Sequence, residues 1–175
     1  MSSLRVTAGT LRGRRIPVPP HDVRPTSERA RQAYFNIVGG RITGARFLDL
    51  FAGSGIFSFE AVSRGAASAM AVEENKRFAA AIEKLAIEWK APVTVLARDV
   101  FKALPKLGTF DLVYADPPYD FGRYDELLSA IGAVTGDESF AAIEHRQGSQ
   151  LAASGELRAV GSREYGEVSI TFFTR

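Results

Sequence analysis

At 175 residues the chain is long enough to enclose one hydrophobic core and too short for two full-sized domains. Its composition is 46% hydrophobic and 24% charged, with no cysteine and two histidines, which excludes a disordered chain, a disulfide scaffold, a thiolate or histidine-rich metal centre and a cysteine nucleophile. The net charge of +2 conceals an asymmetry: residues 1–46 carry nine arginines against the two acids Asp22 and Glu28, and the remainder is net acidic.

Residues 4–17 hold two short β-like pieces around Gly9 and Gly13, then a turn-rich Pro17-Val-Pro-Pro20. A helix follows, with Thr26 or Ser27 as N-cap after Pro25 and Gly39-Gly40 at its stop. Ala30, Ala33, Tyr34, Ile37 and Val38 recur along it at helical spacing, which predicts one packed face. From residue 46 strands and helices alternate. Strands are expected at Arg46–Leu50, Ser68–Val72, Val93–Leu96, Phe110–Ala115 and Phe140–Glu144. Helices are expected at Phe57–Arg64, Asn75–Trp89, Val100–Leu104 and Arg123–Ile131. Glu156–Arg163 and Glu167–Phe173 alternate like a hairpin around Tyr165-Gly166. Repeated βα units predict a mostly parallel central sheet with helices on both faces, closed by an antiparallel C-terminal hairpin. A small β-hairpin and helix extension precedes it. The expected division is a basic extension at 1–45 and an α/β domain at 46–175. No apolar run approaches the ~20 residues of a spanning helix, and the N-terminus has no signal-peptide core, so a cytoplasmic protein without a membrane is expected.

The segment Asp49-Leu-Phe-Ala-Gly-Ser-Gly55 runs from the first core strand into a helix. Gly53 and Gly55 permit positive φ and close approach of a ligand to the backbone. Glu73 ends the next strand, where a carboxylate can accept both hydroxyls of a ribose. A dinucleotide fingerprint requires a third Gly or Ala, and Ser58 stands there instead. Asp49 would also repel a pyrophosphate. S-adenosylmethionine has no phosphate and carries cationic groups, which favours it over NAD; an ordinary glycine turn is the bland reading.

Phe110-Asp-Leu-Val-Tyr-Ala115 leads into Asp116-Pro117-Pro118-Tyr119. Two prolines cannot serve a sheet, but they hold the Asp116 carboxylate and the Pro117 carbonyl as rigid acceptors. A planar exocyclic amine has two N–H donors to meet them, which orients its lone pair and stabilises charge on nitrogen. Tyr119 can stack on the base. A plain turn after a strand is the competing reading.

These residues resemble the amino-methyltransferase branch of the Rossmann-like class I S-adenosylmethionine enzymes, whose signature is Asp/Asn-Pro-Pro-Tyr/Phe. The chain is similar further to the RsmD-type methyltransferases. Arg5-Val-Thr-Ala-Gly9, Leu11-Arg-Gly13, Arg24-Pro-Thr-Ser-Glu-Arg-Ala30, Tyr34-Phe-Asn36, Glu60-Ala-Val-Ser-Arg-Gly-Ala66 and Tyr165-Gly-Glu carry the likeness. It implies methylation of a guanine N2 in 16S rRNA of the small subunit, with the substrate rRNA inside a partly or fully assembled subunit, by a monomer that uses no metal. It implies Asp49, Gly53 and Gly55 at the methionine end of S-adenosylmethionine, with Phe51 in the same loop, Glu73 at the ribose and Asp99 at the adenine amine. Thr26 would lie near the cofactor. Asp116, Pro117 and Tyr119 would serve the target base, with Asp116 also close to the cofactor. Arg5, Arg12, Arg14, Arg15 and Arg24 would contact RNA. One departure is the absence of an expected asparagine near Lys84 or Leu85.

Asp99 also suits a helix N-cap. Trp89 is expected to pack, His145 to sit at a strand end without catalytic duty, Phe172-Phe173 to be core, and Tyr165 either to approach RNA or to belong to a turn. The alternative within the class is an adenine-N6 enzyme acting on DNA or RNA. A protein-glutamine methyltransferase would leave the arginines without a partner. Outside the class stand a NAD-linked oxidoreductase and a non-catalytic RNA-binding module.

Overall fold

The computed structural model describes residues 2–18 and 28–175. The expected helix cap at Thr26 or Ser27 and the residues Arg24 and Thr26 lie outside the described residues. β1 (Ser2–Arg5) and β2 (Arg15–Val18) form an antiparallel pair. α1 (Glu28–Val38) and a short 3₁₀ turn over Gly39–Ile42 lead to β3 (Arg46–Leu50). Then follow α2 (Ile56–Ser63), β4 (Ser68–Val72), α3 (Lys76–Trp89), β5 (Val93–Leu96) and α4 (Val100–Ala103). The chain ends with β6 (Phe110–Ala115), α5 (Tyr124–Gly132), β7 (Thr135–Arg146), β8 (Arg158–Tyr165) and β9 (Val168–Thr174).

The sheet has seven strands in the order β5-β4-β3-β6-β7-β9-β8. β5, β4, β3, β6 and β7 pair parallel in that order, and β9 pairs antiparallel with both β7 and β8. The apolar runs of β3 and β6 alternate between two cores. Phe47, Leu112 and Tyr114 join α1, α2 and α3 on one face; Leu48, Leu50 and Val113 join α4 and α5 on the other. Strand order reverses beside β3, so the loops after β3, β4, β5 and β6 open onto one crevice at the carboxyl edge.

α3 starts where the side chain of Asn75 accepts from the N–H groups of Arg77 and Phe78, at 3.0 and 3.4 Å. β7 is longer than expected. It begins at Thr135 opposite Phe110, then bulges through Gly136–Ser139 before Phe140 pairs with Leu112. The Ser139 hydroxyl donates to the Phe110 carbonyl at 2.7 Å and accepts from Gly136 N–H at 2.8 Å. That side chain replaces the missing ladder bonds, so a polar Gly-Asp-Glu-Ser stretch sits within a strand.

The N-terminal hairpin is fastened to the domain through α2, whose eight residues are all buried. The Thr7 N–H and hydroxyl donate to Glu60 at 2.7 and 2.6 Å, and the Arg31 and Arg64 guanidinium groups face the same carboxylate at 3.3 and 3.0 Å. Ser63 donates to the Ala8 carbonyl at 2.5 Å and accepts from Leu11 N–H at 2.8 Å. Val6 and Ile16 enter the core that holds Tyr34, Phe35 and Phe57.

Candidate active site

The loop after β3 is built from three left-handed residues: Phe51 (φ 60°), Gly53 (φ 54°) and Gly55 (φ 77°). A side chain at Phe51 tolerates this region at a cost of about 1–3 kcal/mol, and such residues gather at functional sites. Three of the loop's N–H groups are committed: Ala52 donates to the Val72 carbonyl at 3.0 Å, Gly55 to the Ala52 carbonyl at 2.8 Å and Gly53 to Glu73 at 2.7 Å. The other oxygen of Glu73 accepts from Asn75 N–H at 2.8 Å. Glu73 therefore ties the glycine loop to the start of α3.

A cavity of about 500 Å³ runs along the carboxyl edge from β5 to β9. Phe51, Gly53, Glu73 and Asp99 line it on one side; Asp116, Pro117, Pro118 and Tyr119 line it on the other. Two sequence-distant motifs thus share one space. Asp99 also caps α4 by accepting from Lys102 N–H at 3.1 Å, as expected of a helix N-cap. The Asp116 N–H donates to the Leu50 carbonyl at 3.3 Å, which anchors the start of the Pro-Pro turn against the glycine loop. Tyr119 is 45% exposed, and the Arg146 guanidinium lies 4.3 Å from its ring centroid.

Asp49 and Gly55 stand behind this wall and do not line the cavity. The Asp49 carboxylate is buried and accepts from the Ser58 hydroxyl and N–H at 2.7 and 3.1 Å. Burial pushes its pKa up to about 7, with a smaller rise from Glu73, against the lowering by Ser58. Gly55 faces α3: a Cβ there would sit 2.9 Å from Ile82 Cγ1. Nearby, burial, followed by Asp49, holds the Tyr34 hydroxyl above the usual tyrosine range.

Phe78, Tyr124, Glu144, Arg146 and Glu167, which the sequence did not single out for the site, border the cavity, as do His145, expected at a strand end, and Tyr165, expected near RNA or in a turn. The rule that picked Glu73 and Asp116, a polar residue at the carboxyl end of a core strand, points equally to Glu144 and His145. His145 sits at a strand end as expected; burial lowers its pKa, and its Nδ1 and Nε2 lie 3.0 Å from the Arg146 carbonyl and 2.7 Å from Thr171 Oγ1. Burial and then Asp116 raise the pKa of Tyr124. Trp89 packs edge-on to Phe59 at 4.8 Å, as expected, and Phe172 and Phe173 are buried.

The arginines of the hairpin do not line this cavity. Arg12 is exposed, Arg14 lies 5.5 Å over the Trp89 ring, Arg15 donates to the Ser3 hydroxyl at 3.1 Å, and Arg5 is 3.9 Å from Glu28. Between β2 and α3 a groove of about 820 Å³ is bordered by Arg15, Arg77 and Lys84 and reaches Gly53 and Ser54 at its end.

Among the described lining residues the acids Glu73, Glu74, Asp99, Asp116, Glu144 and Glu167 outnumber the bases. With this acidic lining, and the Ala52, Gly53 and Gly55 N–H groups bonded within the protein, the site suits a cationic nucleoside ligand such as S-adenosylmethionine better than a pyrophosphate. Among the described residues no group of three or more His, Cys, Asp or Glu could hold a metal ion, and no helix is long and apolar enough to cross a membrane.

The Conserved hypothetical protein 95 family profile matches residues 4–174. Ribosomal RNA small subunit methyltransferase D of Escherichia coli K12 is 34% identical over 73% of the chain, which spans 66% of that protein's length. The Haemophilus influenzae protein of the same name is 32% identical over 73% of the chain and 70% of its own length. The solved Escherichia coli protein yhhF superimposes with a TM-score of 0.89 at 28% identity, covering 99% of this chain and 98% of that one. This chain therefore belongs to the Conserved hypothetical protein 95 family, alongside the ribosomal RNA small subunit methyltransferase D proteins.

Proposed function

We propose that the protein is an S-adenosylmethionine-dependent methyltransferase that modifies the exocyclic N2 amine of a guanine in small-subunit ribosomal RNA. The observation that carries this reading is the single cavity in which the Gly53–Glu73–Asp99 side meets the Asp116–Tyr119 turn. Family membership, and the name its methyltransferase D relatives share, support the choice of rRNA.

On this reading Gly53 and Phe51 form the floor under the cofactor, Glu73 accepts from its ribose hydroxyls and Asp99 from its adenine amine. When bound, S-adenosylmethionine supplies an electrophilic methyl group. Asp116 and the Pro117 carbonyl accept from the two N–H groups of the amine, which fixes its lone pair and stabilises positive charge on nitrogen. Tyr119 offers a stacking face to the base. No strong base is required, since the proton leaves after the new bond forms. Arg5, Arg12, Arg14 and Arg15 supply cationic contacts for RNA phosphates, and Arg24 and Thr26 take the roles the resemblance implies. The extension at 1–45 is then the RNA-contacting part and 46–175 the methyltransferase domain. The protein would work in the cytoplasm as a monomer on a partly or fully assembled small subunit.

The test is mass spectrometry of nucleosides from small subunits incubated with the protein and methyl-labelled S-adenosylmethionine. N2-methylguanosine is the expected product. N6-methyladenosine would favour the alternative, adenine-N6 methylation, and no labelled nucleoside would overturn both.

A further inference from the structure

The Asp116–Pro117 acceptors suit any exocyclic amine, so they do not by themselves distinguish guanine from adenine. The base side of the cavity holds a second carboxylate that the transfer chemistry does not use. Ala115 of β6 and Ile143 of β7 are register partners in parallel strands, so Asp116 and Glu144 are the next residues along each strand. Both line the cavity. Glu144 is 7% exposed, and the Tyr114 hydroxyl donates to its Oε2 at 2.6 Å, which fixes the carboxylate's direction. A carboxylate has about four acceptor sites, and a ligand N–H needs one of them. Contacts to the cofactor's ribose or adenine do not explain its position, since the nucleoside side of the cavity, at β4 and β5, lies three or more strands away.

We propose that Glu144 is the specificity-determining residue for guanine, accepting a hydrogen bond from guanine N1–H while Asp116 and Pro117 accept from N2. This rests on the guanine reading above and adds the group that selects the base. Guanine presents N1–H and the N2 amine as adjacent donors on one edge. Adenine presents an acceptor, N1, next to its amine, and two acceptors facing one another leave a buried polar group unpaired. A built acceptor thus rejects the wrong base without touching the reacting nitrogen.

2-Aminopurine separates the two contacts, because it keeps the N2 amine and replaces N1–H with an acceptor. The target guanine, once located by the nucleoside analysis, is replaced by 2-aminopurine in rRNA reconstituted into small subunits. Wild-type protein is expected to favour guanine by about 10- to 100-fold in kcat/KM. In Glu144→Gln, whose amide can donate to N1, that ratio should fall at least several-fold. 2-Aminopurine fluorescence, titrated with S-adenosylhomocysteine present, reports base binding without transfer and should show tighter binding to the variant than to wild type. Tyr114→Phe, which keeps the acid and removes its tether, should give an intermediate ratio. Equal losses on both bases in Glu144→Gln would make Glu144 purely structural and overturn the inference. A wild-type protein indifferent to the replacement would overturn it whatever the variants do. Failure of wild type to methylate the unmodified guanine would instead sink the guanine reading, and this inference with it.

Discussion

Asp116 and Glu73 border the same cavity but are expected to fail differently when removed. Asp116→Ala takes an acceptor from the amine, so transfer should fall by about 100-fold or more while S-adenosylhomocysteine affinity stays near wild type. Single-turnover rates and calorimetry check both halves, and a large loss of affinity would move Asp116 to the cofactor side. Glu73→Ala strips the acceptor from the Gly53 and Asn75 N–H groups as well as from a ribose. Cofactor binding should weaken by about 1.5–3 kcal/mol, and the melting temperature should drop too. An unchanged dissociation constant would remove Glu73 from the ribose. Asp49 makes a pH prediction. Its pKa, raised to about 7 by burial, means that the folded state holds a proton which the unfolded chain releases near pH 4. Folding stability should therefore decline as pH rises from about 4 to about 7, and Asp49→Asn should flatten that decline. Denaturant titrations of both proteins at several pH values test this, and parallel curves would refute it.

The elements that hold these residues depend on contacts between distant segments. Gly9, at φ +79°, passes so close to α2 that an added Cβ would lie 1.6 Å from the Ser63 carbonyl oxygen. Gly9→Ala should thus cost about 2 kcal/mol or more and release the hairpin. Limited proteolysis after residue 5 and thermal melts check this; an unchanged melting temperature would overturn it. Glu60 and Ser63 explain why α2, whose sequence reads as a buried core helix, carries polar residues at all. β7 shows the opposite case. Phe140–Glu144 was legible as a strand, but Thr135–Ser139 was not, because its ladder partner is replaced by the Ser139 side chain.

Across the whole molecule, basic and acidic surfaces meet at the glycine loop, since Gly53 borders both the acidic cavity and the groove lined by Arg15, Arg77 and Lys84. The acidic cavity lies at the carboxyl edge of the sheet, and Arg12, Arg14 and Arg15 project from the hairpin fixed to α2. Replacing these three arginines with glutamine should raise the KM for RNA and reduce the slope of log affinity against log salt by about two to three. A slope that stays put would mean they do not touch phosphate. Arg14 should contribute least of the three, because it already rests on Trp89.

The sequence by itself determined the strand–helix alternation, the two acidic motifs and the excess of arginine at one end. Those features are local: apolar periodicity, proline and glycine positions, and charge are written along the chain. Only the tertiary structure decided which residues meet. Parallel pairing set Glu144 beside Asp116, burial turned Asp49 and Gly55 away from the cavity, and the hairpin closed onto Glu60 across more than fifty residues of chain. Such neighbours depend on the sheet's register and on long-range burial, which no stretch of sequence read alone encodes.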